Sequence, residues 1–352
     1  MKIRIHFKSL ILSLSILSLC FGQTNVSGII SSNTTWTLSN SPYIATGNIL
    51  LSENTTLTIE PGVIVKFESD LAMQIKGTFI AQGTADNKIM FTSNSSSPSM
   101  NDWMEIKFFD ESTDATFSGG SYISGSIMEY CIVEYTKYIY ISNSRPYITN
   151  CEFRFNEVGI EVNNNDSGNQ SDLVITNNLF HSNDLGFKSY STASTGQGGL
   201  DFNSNQVYNN TLKGGIDATY GGTYSNNTIK NNIYSDNYGY DAVAGGLYGR
   251  PNEVTNNIII GNSKNESSSG IRVDGVTLHY CNNCNFMDNI LNNNSGYVDF
   301  YSNTSGPTSI MNNIVVGLTI IETEFSPIGN PITNNIFAGG LDGQLNFSSN
   351  NT

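Results

Sequence analysis

Charged residues recur directly after a Gly-apolar dipeptide, at intervals of one repeat along the chain. These dipeptides are Gly159-Ile160, Gly186-Phe187, Gly215-Ile216, Gly239-Tyr240 and Gly270-Ile271. They are followed by Glu161, Lys188, Asp217, Asp241 and Arg272, and Asp299 follows Val298 in the same way. Because side chains alternate between the two sides of a strand, an inward apolar residue turns its successor outward. The spacing therefore predicts a column of outward acids and bases.

Two residues further along each strand lies a second outward column. Its candidate members are Tyr190, Asp274 and Tyr301, with Asn163 and Thr219 in equivalent places. Neighbouring members of each column would lie about 5 Å apart if the strands stack in parallel. A flat surface carrying acids, bases and tyrosines suits an extended glycan. We therefore take both columns as candidates for a ligand groove, and polysaccharide or cell-surface glycan as the candidate partner.

Four members of these columns could together perform β-elimination on a uronate. Lys188 would be the base, Asp217 and Asp241 would hold a calcium ion, and Arg272 would neutralise the substrate carboxylate. No local motif supports this set. Outward positions of a repeat protein must be polar in any case, and alternating charges reduce repulsion between neighbouring strands. A plain scaffold thus stays open beside glycan contact and catalysis, and calcium is the one cofactor considered.

A short phrase, repeated nine times, predicts the elements that carry these columns. It begins with Asn or Cys, has an apolar residue at its third place and often ends with Asn at its sixth. The nine copies begin at Cys131, Cys151, Asn178, Asn205, Asn227, Asn257, Cys284, Asn313 and Asn335, separated by 20 to 30 residues. A unit of that length holds three short strands, and stacked units form a solenoid.

The first and third residues of each phrase should both point inward. The third places hold Val133, Phe153, Phe180, Val207, Ile229, Ile259, Phe286, Val315 and Phe337. The Asn or Cys two places earlier then stacks at a corner, where Asn amides hydrogen-bond from coil to coil. We predict an all-β fold, a single-stranded parallel β-helix of roughly 13 coils with an Asn/Cys ladder. Glycine should supply a positive φ at the corner before each Gly-apolar strand.

The phrases resemble the repeats of the pectin-lyase-like parallel β-helix superfamily. The segment from Tyr43 to Ser93 is also similar to the opening of many bacterial secreted β-helix proteins, through T-L-T-I-E-P-G-V-I-V-K-F, I-K-G-T-F-I-A-Q-G-T and I-M-F-T-S. The resemblance implies a right-handed solenoid with any active site on an exposed sheet. It does not imply an activity, because the superfamily includes lyases, hydrolases, epimerases and adhesins.

Catalytic motifs of the resembling enzymes are mostly missing. The chain lacks the Asp-Asp pair and the Gly-His-Gly of polygalacturonase-like hydrolases. Tyr238-Gly239-Tyr240-Asp241 matches half of an alginate-epimerase phrase, but Ala242 and Val243 replace its Pro and His. We therefore favour a non-catalytic protein in glycan contact, adhesion or scaffolding. A polysaccharide lyase or epimerase acting on uronate-containing glycans is the alternative, and a spacer rod in a longer surface protein is the third hypothesis.

The N-terminus predicts export. Residues 1–22 combine a basic start with a short apolar run, as in a signal peptide cleaved after Gly22. Cys20 could carry a lipid, although Leu19 departs from the usual lipoprotein pattern. We expect residues 23–100 to form the N-terminal cap and first coils, and 101–352 the repeats, continuing beyond Thr352 because no cap is visible. The protein would be secreted or at the cell surface, without a membrane span.

The net charge of the chain further restricts the classes of binding partner. Removing the three basic residues Lys2, Arg4 and Lys8 with the signal would take the formal net charge from −14 to −17. Such an acidic chain is a poor ligand for nucleic acid or anionic lipid. Neutral sugars suit its surface better.

Four cysteines remain after the signal. Cys131, Cys151 and Cys284 begin phrases and are interpreted as ladder residues, with a Cys131–Cys151 disulfide as the alternative. Cys281 and Cys284 form a C-x-x-C pair that lacks the following helix of a thioredoxin site and the extra ligands of a zinc site.

Overall fold

The computed structural model describes residues 22–164, 173–190, 199–219, 221–235, 244–264, 273–281, 284–294, 298–304, 308–323 and 332–343. Within these ranges the chain consists of short β-strands and one 3-10 turn at Leu38–Asn40. Nearly all strands pair in parallel with the equivalent strand of the next coil. The strands form three faces around one apolar interior, which we number in chain order.

The first face is a 12-stranded sheet. Its strands are Thr34–Trp36, Thr56–Ile59, Thr78–Gln82, Ile127–Glu129, Tyr147–Thr149, Leu173–Thr176, Leu200–Asn203, Thr223–Ser225, Glu253–Thr255, Cys284–Met287, Thr308–Met311 and Ile332–Thr333. The second and third faces share a 24-stranded sheet, joined through the long strands Thr24–Ile30 and Tyr43–Leu51 of the first two coils.

The second face continues with Ile64–Phe67, Ile89–Ser93, Cys131–Glu134, Glu152–Arg154, Leu179–His181, Gln206–Tyr208, Thr228–Lys230, Ile258–Ile260, Ile290–Asn292, Ile314–Val315 and Ile336–Phe337. The third face continues with Ala72–Ile75, Trp103–Phe108, Thr136–Ser142, Val158–Asn163, Leu185–Ser189, Ile216–Ala218, Leu247–Gly249, Val273–Cys281, Val298–Thr304, Thr319–Thr323 and Leu341–Gly343. Two small pairs lie outside these faces: the antiparallel hairpin Thr116–Ser118 with Ser121–Ser124, and Ile233–Tyr234 with Ser263–Lys264.

The parallel solenoid and its inward stack confirm the predicted fold class. On the second face, Phe153 pairs with Phe180, which pairs with Val207. All three side chains are fully buried in one continuous core. The topology is that of a parallel β-helix and agrees with the right-handed form. The number of coils, roughly 13, stays a prediction.

The predicted ladder lies at the corner between the first and second faces. Asn178, Asn205, Asn227 and Asn257 are buried there. The Oδ1 of Asn205 accepts from the backbone N–H of Asn178 at 2.9 Å, and the Oδ1 of Asn227 accepts from that of Asn205 at 2.9 Å. Each Nδ2 also donates, for example from Asn205 to the carbonyl of Ile175 at 2.9 Å. The ladder therefore satisfies backbone groups that the turn removes from the sheets.

A second asparagine ladder lies at the corner between the second and third faces. It uses the residue five places after a member of the first ladder: Asn156, Asn183, Asn210, Asn232, Asn262 and Asn294. The sequence showed these asparagines, but we assigned them no role. They stabilise the turn at this corner through the same pattern of hydrogen bonds as in the first ladder.

Both corners are turned by a residue in the left-handed region that directly precedes the ladder residue. Asn177, at φ 59°, precedes Asn178, and Ser182, at φ 57°, precedes Asn183. Asparagine is frequent at such positions because its short side chain tolerates positive φ. This explains the paired asparagines along the chain.

Two local predictions were wrong. The seventh ladder residue is Asn289, whose Oδ1 accepts from the N–H of Asn257 at 3.0 Å, whereas Cys284 begins a first-face strand. Phe286 is buried but belongs to that first face.

The corner glycines Gly159 and Gly186 also lack a positive φ. A Cβ on Gly186 would lie 2.6 Å from the carbonyl oxygen of Gly215, so these glycines are required by the close approach of neighbouring coils.

The buried thiols of Cys131 and Cys151 are free, and these residues occupy ladder positions. The backbone N–H of Cys131 donates to the Sγ of Cys151 at 3.4 Å. Cys284 is disulfide-bonded. The structure thus supports the ladder interpretation of Cys131 and Cys151 over the disulfide between them.

Candidate functional site

Six residues follow one another in register on the third face, and all of them except the buried Asp217 are partly exposed. Strand pairing aligns Lys107 with Tyr140, Tyr140 with Glu161, Glu161 with Lys188, Lys188 with Asp217 and Asp217 with Tyr248. We call these six residues the third-face strip. Successive members are about 4.8 Å apart along the solenoid axis. The strip therefore places three ionisable side chains, from Glu161 to Asp217, between Tyr140 and Tyr248, with Lys107 at its N-terminal end.

The N-terminal end of the strip combines aromatic rings with lysine. The Nζ of Lys107 lies 4.5 Å from the ring centroid of Phe109 and 4.9 Å from that of Tyr140. The rings of Tyr138 and Tyr140 lie 5.5 Å apart. The Nδ2 of Asn163 donates to the Tyr140 hydroxyl at 3.0 Å. These contacts hold Tyr140 in place while leaving it partly exposed.

The central part of the strip is a charged pair beside a buried acid. The Nζ of Lys188 lies 3.7 Å from Glu161 Oε2, and both side chains are partly exposed, at 30% and 21%. Asp217 is only 7% exposed, and its Oδ1 accepts from the hydroxyl of Thr219. A weak, half-exposed pair such as Lys188–Glu161 contributes little to stability, so both charges remain available to a ligand.

Burial dominates the electrostatics of this face. It raises the pKa of Asp217, against hydrogen bonds from Thr219 and Tyr248 and the charge of Lys188. Burial also raises the pKa of Glu105, although Lys107 and Lys137 oppose the rise. Beside it, burial and the charges of Glu105 and Glu161 raise the pKa of Tyr138 to about 12. The Tyr138 hydroxyl is therefore protonated and can donate at neutral pH.

The raised pKa of Asp217 predicts a pH-dependent stability effect. A carboxyl whose folded pKa lies above its unfolded value costs stability when ionised, and this cost disappears as pH falls through the folded pKa. We expect Asp217→Asn to raise the free energy of unfolding at pH 7 and to have a smaller effect towards the ordinary pKa of 3.8. Urea denaturation across this pH range measures it, with Asp201→Asn on the first face as control. A variant less stable at every pH would contradict the prediction.

Four predicted residues on this face have the following positions. Glu161, Lys188 and Asp217 lie in successive coils, as the repeat suggested, but Asp217 is buried and not exposed as predicted. Tyr190 follows the strand of Lys188 and is 40% exposed. Asp241 and Arg272 lie outside the described residues. In the register, Tyr248 is the partner of Asp217, and Thr277 follows it.

The outward placement expected for Asp274, Asp299 and Tyr301 is corrected by the structure. Asp274 is fully buried, and its Oδ1 accepts from the N–H of Lys264 at 2.7 Å. Asp299 is 2% exposed, and its Oδ2 accepts from the N–H of Gly317 at 2.9 Å. Tyr301 aligns with Thr277 but is only 4% exposed, in a small apolar cluster with Ala244, Val273 and Val298. None of the three can line an open groove.

Sequence reasoning missed Glu105, Lys107, Tyr138 and Tyr140. They precede the first Gly-apolar dipeptide that marked the column, so counting from glycine did not reach them. Their own signal is alternation, in E-I-K-F from Glu105 and Y-I-Y-I from Tyr138, where every second residue is buried. Period-2 alternation predicts their outward orientation directly.

A separate ionic network occupies the N-terminal part of the second face. Arg154 donates to Glu134 at 2.8 Å and to Glu152 at 2.7 Å, and Lys88 lies 3.3 Å from Glu152. His181 is half-buried, lies 3.3 Å from Glu152 and stacks on Tyr208 at 4.9 Å. The charges of this network neutralise one another, so it serves best to hold the coils in register.

Neither a metal cluster nor a membrane helix occurs in the part of the chain that the structure describes. No three His, Cys, Asp or Glu side chains there are close enough to hold an ion. Of the two calcium candidates, Asp217 is bonded to Thr219 and Asp241 lies outside the described ranges. No described helix is long and apolar enough to cross a bilayer.

Comparison with known proteins supports the fold. Residues 28–121 match the family model described as pectate-lyase like beta helix domain. No curated protein and no solved structure matches the chain. The family match and the parallel solenoid together confirm the resemblance to pectate-lyase-like β-helix proteins. The matched segment includes Glu105 and Lys107 and ends before Tyr138.

Proposed function

We propose that this protein is an exported β-helix that contacts glycans through its third face, as an adhesin or scaffold at or beyond the cell surface. The observation that supports this best is the third-face strip, in which charged groups and tyrosines follow one another in register. The proposal of export rests on the N-terminal signal with cleavage after Gly22.

The chemistry of the strip suits a sugar chain lying along the solenoid axis. Tyr140 of the strip and its neighbour Tyr138 each combine an apolar ring with a hydroxyl group, which suits ligands that are apolar on one side and polar on the other. Lys188 and Glu161 are a donor and an acceptor for hydroxyl groups, and charge-assisted hydrogen bonds are stronger than neutral ones. Parallel strands repeat these groups at a fixed spacing without any change in the backbone.

The lyase or epimerase alternative has less support. Lys188, the candidate base, lies beside Glu161, and Asp217 is buried with its Oδ1 bonded to Thr219. Asp217 would have to leave that environment to bind calcium. The binding experiment below also detects catalysis.

A glycan array tests the proposal. The mature chain is applied to neutral and acidic glycans with calcium and with chelator, beside a Tyr140→Ala, Lys188→Ala double variant. A matched control, Tyr208→Ala with Lys230→Ala, removes the same residue types from the second face, where the two lie 5.3 Å apart. We expect wild type and control to bind, and the third-face variant to lose at least about tenfold in affinity, equivalent to about 1.4 kcal/mol.

Two other results would contradict glycan contact as the function and favour one of the alternatives. Release of an unsaturated uronate, detected by its ultraviolet absorbance, would establish a lyase. Failure of the folded wild-type chain to bind any glycan, with or without calcium, would leave the spacer rod as the better description.

A further inference from the structure

The C-terminal half of the second face carries a straight row of exposed isoleucines. Ile258, Ile290, Ile314 and Ile336 pair in register from coil to coil. They are 43%, 41%, 39% and 47% exposed, and Val316 beside them is 42% exposed. We call these five residues the isoleucine row. Almost half of the large exposed apolar side chains in the described part of the chain lie in this row.

The stability of the sheet does not by itself require this row. Thr228 occupies the preceding position of the same column, and threonine has a similar preference for strands. Further towards the N-terminus the same column holds Gln206, Leu179 and Glu152. Four successive isoleucines therefore change a mixed surface into an apolar one, and a contiguous exposed apolar patch is typical of an interaction site.

Charge indicates the partner. The second-face segments 258–260, 290–292, 314–316 and 336–338 contain no charged residue, although the chain has a formal net charge of −14. Any surface of a second copy that carries carboxylates would lose hydration against the row without gaining a partner. The isoleucine row of a second copy is neutral, flat and has the same spacing, so the two rows can interdigitate like facing sheets about 10 Å apart.

The position of the charged network determines the orientation. In a parallel pair, each charge of the Glu134–Arg154–Glu152 network of one copy would lie against the same charge of the other copy, and like charges repel. An antiparallel pair, with its two-fold axis between Ile290 and Ile314, moves the two networks to opposite ends. Such a contact is isologous, so each residue of the row meets another member of the row.

The size of the row determines the strength of the contact. Four rungs span about 14 Å at about 4.8 Å each, which gives on the order of 300 Å² per copy against about 800 Å² in a standard interface. The association is therefore weak. We propose that this protein self-associates through the isoleucine row as an antiparallel, face-to-face dimer with a dissociation constant in the micromolar to millimolar range. This inference is independent of the glycan proposal.

Sedimentation equilibrium of the mature chain from about 1 μM to about 1 mM tests the proposal. We expect the average mass to rise towards that of a dimer, and Ile290→Thr with Ile314→Thr to weaken association at least about tenfold. Ile29→Thr with Ile123→Thr is the matched control, because these side chains are 68% and 61% exposed elsewhere. Unchanged thermal melting shows that each variant is folded.

Cysteine cross-linking tests the orientation. An antiparallel dimer brings position 290 of one copy opposite position 314 of the other. A mixture of the Ile290→Cys and Ile314→Cys variants should therefore form a disulfide-linked dimer faster than either variant alone. A wild-type chain that stays monomeric throughout the concentration range would overturn the proposal, as would a row variant that associates as strongly as wild type. Faster cross-linking of each single variant alone would overturn the antiparallel arrangement.

Discussion

Phe180→Ala is expected to lower the free energy of unfolding by about 3–5 kcal/mol, as large-to-small changes of buried aromatic residues do. Phe180 is fully buried and stacks on Phe153 with ring centroids 4.9 Å apart. It also contacts Phe202 at 5.6 Å and Phe187 at 6.2 Å, so its ring joins the second face to the other two. Because three faces meet around it, the cavity cannot close without moving the backbone.

Urea denaturation followed by circular dichroism measures this effect. The matched control is Leu179→Ala, one residue away, where the side chain points outward and is partly exposed. The control should cost much less, since little apolar area is lost. A loss below about 1.5 kcal/mol for Phe180→Ala would mean that the core can close around the gap.

Asn205→Ala is expected to destabilise the protein by about 3 kcal/mol, from two or three buried polar groups left without a partner at about 1–3 kcal/mol each. Asn205 Oδ1 accepts from both the N–H and the Nδ2 of Asn178, at 2.9 and 3.1 Å. Its Nδ2 donates to the carbonyl of Ile175. Alanine fills less space and replaces none of these bonds.

The control for this variant is Gln206→Ala, which removes an exposed amide from the adjacent position. We expect its effect to lie within about 0.5 kcal/mol of zero, as for most surface substitutions. Equal effects of the two variants would show that the ladder is not a source of stability. Hydrogen exchange at Asn178 provides a local measurement, because its N–H should exchange faster once Asn205 is replaced.

The inward stack and the first ladder could be predicted because their signals are local. In the phrase from Asn178, Phe180 lies two positions after the asparagine, and strand alternation alone puts both inside. The repeat of that phrase then requires stacking, since one coil cannot bury its own apolar face. Cys284 was wrongly assigned to the ladder because its phrase has the same pattern but lies on the preceding strand. Only the coil-to-coil hydrogen bonds identify Asn289 as the ladder residue.

The outward surface could be predicted only where the coils are short. In short coils, four positions lead from the second-ladder asparagine to the inward residue near the middle of the third-face strand. These are the steps from Asn156 to Ile160 and from Asn183 to Phe187. Fifteen separate Asn232 from Leu247, and fourteen separate Asn262 from Val276. Alternation is lost in such long connections, so counting from Gly270 placed Asp274 on the wrong side.

The amino-acid sequence alone thus determined the parallel solenoid, its asparagine corner and the apolar stack, because each depends on neighbours within one strand. The tertiary structure decided which side chains share a surface: it joined Lys107 and Tyr140 to Glu161, buried Tyr301, and aligned the exposed isoleucines. The physical reason is that alternation sets orientation only within a strand. After each connection between strands, the orientation of the side chains is determined anew by the hydrogen bonds to the neighbouring coil.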